Sequence, residues 1–258
     1  MSTALITGAS SGIGYDLAKV FAAHGHNLII TARNREALNK LADECASQFH
    51  VKIEILTKDL ADPSTPQQIY DELQQKSLPI DILVNNAGFG THGPFARSDL
   101  AGELRLVQVN VIAVMQLTRL FLPAMIERRA GKILNVASTA AYVPGPYMSS
   151  YYASKAFVLS QSVALAQELR SRGITVTALC PGPTRTAFQS RAGMDEVRLF
   201  SESAIMDSPA VARIAYQGLM RGKTIVVPGI QNKFVAVVSR LVPRTLLARA
   251  AGHLNKDR

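Results

Sequence analysis

The chain has 258 residues, 48% of them hydrophobic and 18% charged, which suits one globular α/β domain with a buried sheet. No run reaches the roughly 18 apolar residues of a membrane span, no signal-peptide pattern opens the chain, and two cysteines, Cys45 and Cys180, do not make a disulfide framework, so a cytoplasmic setting is expected. The net charge of +9 is lopsided: from Ser208 onward nine basic residues accompany one acid, Asp257, so +8 of it lies there.

Ala4, Leu5 and Ile6 form a short apolar run ending at Thr7-Gly8, read as a buried strand opening into a turn. Residues 13–23 carry Ile13, Leu17, Val20 and Phe21 at helical spacing. A second strand is predicted at 27–31, a helix at 36–49 with Leu38 and Leu41 on one face, and a third strand at 51–56. A turn at Asp62-Pro63 leads to a polar helix at 67–76 and a fourth strand at 80–84. A long helix is predicted over 102–127, bent at Pro123, then a fifth strand at 132–136. Residues 150–172 read as a strong helix stopped by Gly173, followed by a sixth strand at 174–179. Residues 184–207 read as irregular or weakly helical, 209–221 as a helix and 224–227 as a seventh strand. The tail has two short apolar pieces divided at Pro243.

Strands and helices alternate, and the strands are near-continuous apolar runs, as expected where both faces are covered. The predicted fold is α/β: a Rossmann-like, doubly wound, parallel seven-stranded sheet flanked by helices in a single domain. The domain spans 1–230, with a lid at about 184–207, and 231–258 form a basic amphipathic helical extension.

Between the first strand and first helix lies Thr7-Gly8-Ala9-Ser10-Ser11-Gly12-Ile13-Gly14. Its glycines allow a sharp turn and close approach by a ligand. The helix that follows would aim its free N–H groups at a pyrophosphate, with Ser10 and Ser11 as extra donors. The alternative is an ordinary strand–helix turn. After the second strand, where an NAD site usually carries an acid, the sequence is Ile30-Thr31-Ala32-Arg33-Asn34. Arg33 can pair with a 2′-phosphate, which points to NADP(H); otherwise it is a solvated surface arginine.

This loop, Asn85-Asn86-Ala87-Gly88 after the fourth strand, and Tyr151-x-x-x-Lys155 on a helix closely resemble the short-chain dehydrogenase/reductase family over about the first 230 residues. The resemblance implies a catalytic set of Asn110, Ser138, Tyr151 and Lys155, with Ser138 thirteen residues before Tyr151. It implies that Asp59, beside Leu60, meets the adenine, and that Asn86, Ala87 and Gly88 border the cofactor. It places Pro181, Gly182, Thr184 and Thr186 against the nicotinamide and phosphates, although Thr186 also reads as a helix cap. It gives Lys155 the nicotinamide ribose and Asn110 a water in a proton relay. No metal is implied, and family members pair through the helices that carry Asn110 and Tyr151, giving a homodimer or homotetramer.

The residue chemistry points the same way. Tyr151 and Lys155 share a helix face, and a nearby ammonium should lower a phenol's pKa from about 10 toward a usable range. Tyr151 would then act as general acid/base while hydride passes between a nicotinamide and a carbonyl or alcohol carbon. Tyr152, three residues from Lys155, is the competing tyrosine.

The lid carries Phe188, Met194, Val197, Leu199, Phe200, Ile205 and Met206, which suits a hydrophobic or acyl-type substrate or simple packing of the lid. Tyr142, Val143 and Tyr147 are candidates for the same pocket. In the tail, Lys233, Arg240 and Arg244 fall on one side if a single helix passes through, and Pro243 is placed to start a second. Such a segment can lie on an anionic membrane, pack on a partner subunit or pack on its own domain. The tail resembles the subgroup in which Val227-Pro228-Gly229 precedes a helical extension. Nucleic acid is not an expected partner, because no aromatic platform accompanies the charge. The main alternatives to a soluble reductase are a non-catalytic nucleotide sensor or scaffold on the same fold, and a membrane-peripheral reductase of lipid metabolism.

Overall fold

The computed structural model describes residues 2–186, 188 and 205–256. Seven strands form one parallel sheet: β1 (Thr3–Thr7), β2 (Asn27–Ala32), β3 (Ile53–Thr57), β4 (Ile82–Asn85), β5 (Gly131–Val136), β6 (Ile174–Leu179) and β9 (Ile225–Val226). Their spatial order is β3-β2-β1-β4-β5-β6-β9. Between β6 and β9 in the chain, β7 (Thr184–Arg185) pairs with β8 (Met206–Asp207) as a separate two-stranded ladder. Among the described residues the α-helices are α1 (Gly12–Ala23), α2 (Arg35–Phe49), α3 (Thr65–Gln75), α4 (Leu100–Val107), α5 (Ala113–Glu127), α6 (Ser149–Leu169), α7 (Ser208–Met220), α8 (Ile230–Val238) and α9 (Arg244–Asn255).

The period-2 alternation of a strand sorts its side chains onto two faces. Ile6, Ile30 and Val84 point into one core with Leu17 and Phe21 of α1, Leu38 and Leu41 of α2, and Val211 and Leu219 of α7. Their neighbours Leu5, Ile29 and Leu83 point the other way, onto Ile69 and Leu73 of α3, Leu117 and Phe121 of α5, and Leu169 of α6. Both faces are therefore dry, which is why every central strand reads as a continuous apolar run.

The predicted strands and helices are all present within one to three residues at their ends. Gly173 ends the α6 region in the left-handed conformation, at φ 77. Two readings change. The helix from Leu100 to Glu127 is not uniformly α: it contains a π turn, Gln108–Ile112, while Pro123 lies inside α5. That continuous stretch is also long and apolar enough to cross a membrane by length and composition, contrary to the sequence expectation, but Leu106, Leu117, Phe121 and Met125 bury its inner side in the fold. The tail is divided at Pro243, as read from the sequence, with Pro243 opening the second helix. α8 ends at Val238 and α9 begins after Pro243, so Lys233, Arg240 and Arg244 do not share one helix face. Of the lid residues, Met194, Val197, Leu199 and Phe200 lie outside the described residues.

Candidate active site

The neighbours of β1 are β2 on one side and β4 on the other, so the chain reverses its winding direction there, and the carboxyl ends of the strands open a crevice. Gly8 follows β1 with φ +66, a conformation that favours glycine, and a Cβ there would lie 2.8 Å from the Ala87 Cα. The loops after β1 and β4 are stitched together. Thr7 Oγ1 accepts from the backbone N–H groups of Asn86 and Ala87, each at 3.0 Å, and the Asn86 amide donates to the carbonyls of Thr7 (2.8 Å) and Gly8 (3.2 Å). The Asn86 side chain is thus engaged in holding the glycine loop.

Gly12 and Gly14 open α1, and a Cβ on Gly14 would collide with the Gly8 carbonyl. Ser10 and Ser11 lie half-buried between these glycines. The glycines are therefore required by the close approach of Asn86, Ala87 and Thr186, and the loop leads straight into the N-terminus of α1, which fits the phosphates of a dinucleotide. Ile13, in the first turn of α1, is half-buried against one core, and Leu60 is buried in the opposite core, so the Leu60 side chain is turned inward. Arg33 and Asp59 stand at the ends of β2 and β3, 3.9 Å apart and largely exposed. A pair that exposed holds Arg33 weakly.

From the other side come the loops after β6 and β7. The Pro181 carbonyl accepts the Thr139 N–H at 2.8 Å, Thr184 Oγ1 donates to the Gly182 carbonyl at 3.0 Å, and a Cβ on Gly12 would touch Thr186 Cγ2 at 2.9 Å. Thr186 Oγ1 also accepts the Phe188 N–H at 3.2 Å, the capping role read as its alternative.

The reactive groups gather where β5 ends. Ser138 leaves the strand extended and caps the turn Thr139–Tyr142, its Oγ accepting the Ala140 N–H at 3.1 Å. Ser138 Oγ donates to the Pro181 carbonyl at 3.4 Å, and Tyr151, in the first turn of α6, lies near enough for that hydroxyl to pull its pKa down. Lys155 lies one turn on, its Nζ 5.8 Å from the centre of the Tyr151 ring and donating to the Val136 carbonyl at 2.8 Å. A Cβ on Gly88 would lie 3.3 Å from Lys155 Nζ and 3.1 Å from Asn110 Oδ1. Asn110 sits in the π turn and clamps the backbone of Phe89, donating to its carbonyl at 2.9 Å and accepting its N–H at 3.1 Å.

Asn110 also donates to Ser154 Oγ at 3.1 Å, and Ser154 donates to the Tyr151 carbonyl at 2.7 Å. Ser154 was not anticipated, although its place between Tyr151 and Lys155 on a buried helix turn was a usable signal. The competing tyrosine faces elsewhere: the buried Tyr152 donates to Asn255 Oδ1 of α9 at 3.2 Å. Tyr142 packs with Ala137, Val158 and Cys180, while Val143 and Phe188 gather around Tyr151, the Phe188 ring centre 5.3 Å from that of Tyr151.

The electrostatics correct one expectation. Burial pushes the Tyr151 phenol up to about 12, with the Ser138 hydrogen bond pulling the other way, and burial pulls the Lys155 ammonium down to about 8. The ammonium does not lower the phenol because both groups are desolvated, and desolvation penalises the charged form of each. At neutral pH the tyrosine holds its proton.

The family model described as short chain dehydrogenase matches residues 2–197 of this chain. The ketoacyl reductase HetN of Nostoc sp. is 31% identical over 246 residues, covering 94% of this chain and 80% of that protein. A short-chain dehydrogenase from Sphingobium yanoikuyae, solved in complex with NADPH, superposes with a TM-score of 0.84 at 33% identity, covering 93% of this chain and 94% of that one. A bulky-bulky ketone specific alcohol dehydrogenase from Comamonas testosteroni superposes with a TM-score of 0.79 at 31% identity, covering 93% of each chain.

Proposed function

The chain belongs to the short chain dehydrogenase family, and from that premise we propose that it is an NADP(H)-dependent oxidoreductase interconverting a carbonyl and a secondary alcohol. The observation that carries this reading is the buried Tyr151, its ring centre 5.8 Å from Lys155 Nζ one helical turn on and its phenol under the influence of the Ser138 hydroxyl, at the carboxyl edge of the sheet. Gly8, Ser10, Ser11, Gly12, Ile13 and Gly14 would hold the pyrophosphate, Arg33 the 2′-phosphate, and Asp59 and Leu60 the adenine. Ala87, Gly88, Lys155, Pro181, Gly182, Thr184 and Thr186 would border the nicotinamide half. Asn86 would act mainly by shaping the loop. When bound, the nicotinamide supplies or accepts the hydride.

The chain's own residues do the rest. Ser138 and Tyr151 donate hydrogen bonds to the substrate oxygen and so stabilise the negative charge that grows there. Tyr151 gives that oxygen its proton. Its raised pKa keeps the proton in place at neutral pH, the protonation state that the reductive step requires. Lys155, protonated at neutral pH, stabilises the charge left on the phenol. Asn110 acts through the Phe89 backbone and Ser154, holding the loop and the tyrosine in register. The apolar ring of Val143, Met148 and Phe188 around Tyr151 supports a hydrophobic or acyl-type carbonyl substrate, the class named for the Nostoc relative.

The test is a screen of ketones, aldehydes and 3-oxoacyl thioesters followed by NADPH absorbance, with NADH alongside. Turnover with NADPH and its loss in Tyr151→Phe support the assignment. No turnover of any carbonyl, or a cellular role left intact by Tyr151→Phe, favours a non-catalytic sensor. A clear NADH preference overturns the role of Arg33.

Two finer readings rest on surface observations. Leu100, Leu104, Val107, Ile112 and Met115 stand exposed along the helix that carries Asn110, which supports pairing of two copies there as a homodimer or within a homotetramer. On α8 and just beyond it, Ile230, Phe234, Val237 and Leu241 are exposed at helical spacing beside Lys233 and Arg240, which supports contact with an anionic membrane.

A further inference from the structure

The C-terminal helix α9 is bolted to the rim of the candidate site. Asn255 is fully buried near the end of a charged tail. Its Oδ1 accepts the Tyr152 hydroxyl at 3.2 Å and its Nδ2 donates to the Pro146 carbonyl at 3.0 Å. Its own carbonyl lies 2.7 Å from His92 Nε2, and since a carbonyl only accepts, the histidine donates. One residue thus ties α9 to the loop after β4, the loop after β5 and α6. Gly252 lets the helix lie flush on the turn, because a Cβ there would sit 3.2 Å from Pro146 Cγ.

Beside this contact lies an open cleft of about 430 Å³, lined by Pro146, Tyr147, Ala248, Arg249, Gly252, His253 and Lys256. Arg249 and His253, four residues apart, project from one face of α9, and Lys256 follows at once as its extended C-cap. None of the lining residues is acidic. The helix dipole favours a cation at Lys256, just past the C-terminus of α9, but not at Arg249 in the middle.

The cleft is close to the reacting groups. The Tyr147 carbonyl accepts the Gly93 N–H at 2.8 Å, while a Cβ on Gly90 would meet the Tyr151 ring at 3.5 Å. Gly90 and Gly93 are three residues apart, a reach of roughly 10 Å at most. None of the cleft residues belongs to the glycine loop or to the Arg33 edge, so the cleft is separate from the proposed nucleotide cradle.

We propose that this cleft binds the phosphate-bearing tail of a thioester substrate, such as a coenzyme A or phosphopantetheine ester, whose carbonyl reaches Tyr151. The guanidinium of Arg249 can hold a phosphate in a bidentate fork, and Lys256 adds a point charge. A flexible arm then spans the short distance from the cleft to the catalytic groups. The idea rests on the proposed carbonyl reductase activity for its substrate, but not for its binding site.

The experiment is calorimetric titration of coenzyme A into the full-length protein saturated with NADP+, comparing the native chain with Arg249→Gln/Lys256→Gln. The expected result is at least a tenfold weaker dissociation constant in the variant, with NADP+ affinity and melting temperature unchanged. Dephosphorylated pantetheine should bind both proteins equally poorly. Equal coenzyme A affinity in the two proteins, or none in the native chain, overturns the proposal. Inorganic phosphate binding as tightly as coenzyme A overturns the thioester assignment. Because no turnover is measured, a protein that binds coenzyme A but reduces nothing would refute the proposed function and leave the cleft standing. If reductase activity is present, the variant should raise KM for a 3-oxoacyl-coenzyme A and leave KM for its N-acetylcysteamine analogue unchanged.

Discussion

The hydroxyl of Tyr152 donates to the side chain of Asn255 across 103 residues of sequence, at 3.2 Å, while its neighbour Tyr151 turns toward Ser138. Adjacent tyrosines on α6 thus point to different tasks, one to the reaction and one to the C-terminal strap. Asn255→Ala would leave the Tyr152 hydroxyl and the Pro146 carbonyl without their partner in a buried place. The expected loss is on the order of 2 kcal/mol, from the desolvation of orphaned polar groups. Urea denaturation measures it, and a loss under about 0.5 kcal/mol would mean that the strap is not anchored there.

The two tyrosines should separate cleanly by kinetics. Tyr151→Phe removes the proton donor and should lower kcat by about a thousandfold or more, within the range for loss of a positioned acid plus its hydrogen bond to developing charge. NADPH binding, read by fluorescence titration, should change little. Tyr152→Phe should keep kcat within about threefold and lose about 1 kcal/mol of stability. If Tyr152→Phe were the inactive variant, the assignment would be reversed.

Lys155 gives a pH signature with a definite sign. Its ammonium titrates near 8 in the folded protein and near 10.5 in the unfolded chain. Between those values the unfolded state holds more protons, so this residue makes stability rise with pH; below pH 8 its cost is constant. Above pH 10 the buried Tyr151 phenol, raised to about 12, acts in the opposite sense, so the useful window is pH 8–10. Across it the native chain should gain on the order of 2 kcal/mol relative to Lys155→Met. Parallel stability curves for the two proteins would show that the lysine is not desolvated. The same titration should make the reduction rate fall as pH rises through about 8, while Tyr151 still carries its proton.

What was legible in the sequence was local. Strand faces follow from period-2 burial, as the opposed Leu5 and Ile6 show. The glycine loop carries its own backbone signature, and Tyr151 and Lys155 stand one turn apart on a helix. What escaped were relations between distant residues. The link from Asn255 to Tyr152, Pro146 and His92 joins segments 103 to 163 residues apart and leaves no periodic trace. The π turn at Asn110 has no composition of its own, since Gln108-Val109-Asn110-Val111-Ile112 reads as ordinary helix. The direction of the Tyr151 shift was misread because spacing reveals a neighbouring charge but not the burial that outweighs it. Leu60 stands beside the exposed Asp59 yet buries its side chain in the core, a distinction that only packing decides.

The exposed stripe on α8 gives the last test. Ile230 is 84% and Leu241 81% exposed, with Phe234 and Val237 between them, while Ala236 on the opposite side is buried. A helix so divided, flanked by Lys233 and Arg240, would bury its apolar side chains at a bilayer surface and keep its cations near anionic headgroups. A second copy pressed against the same face would bring like charges together, which disfavours that occupant. The full chain should co-sediment with phosphatidylserine vesicles at low salt, and binding should weaken with added salt because surface charge is screened. Phe234→Asp/Leu241→Asp should abolish the binding with little loss of NADPH turnover, since neither side chain contributes to the buried core. Vesicle binding that is equal in the native chain and the variant, or absent in both, would remove the membrane reading, and a shift of the variant to a smaller oligomer would assign the stripe to subunit contact.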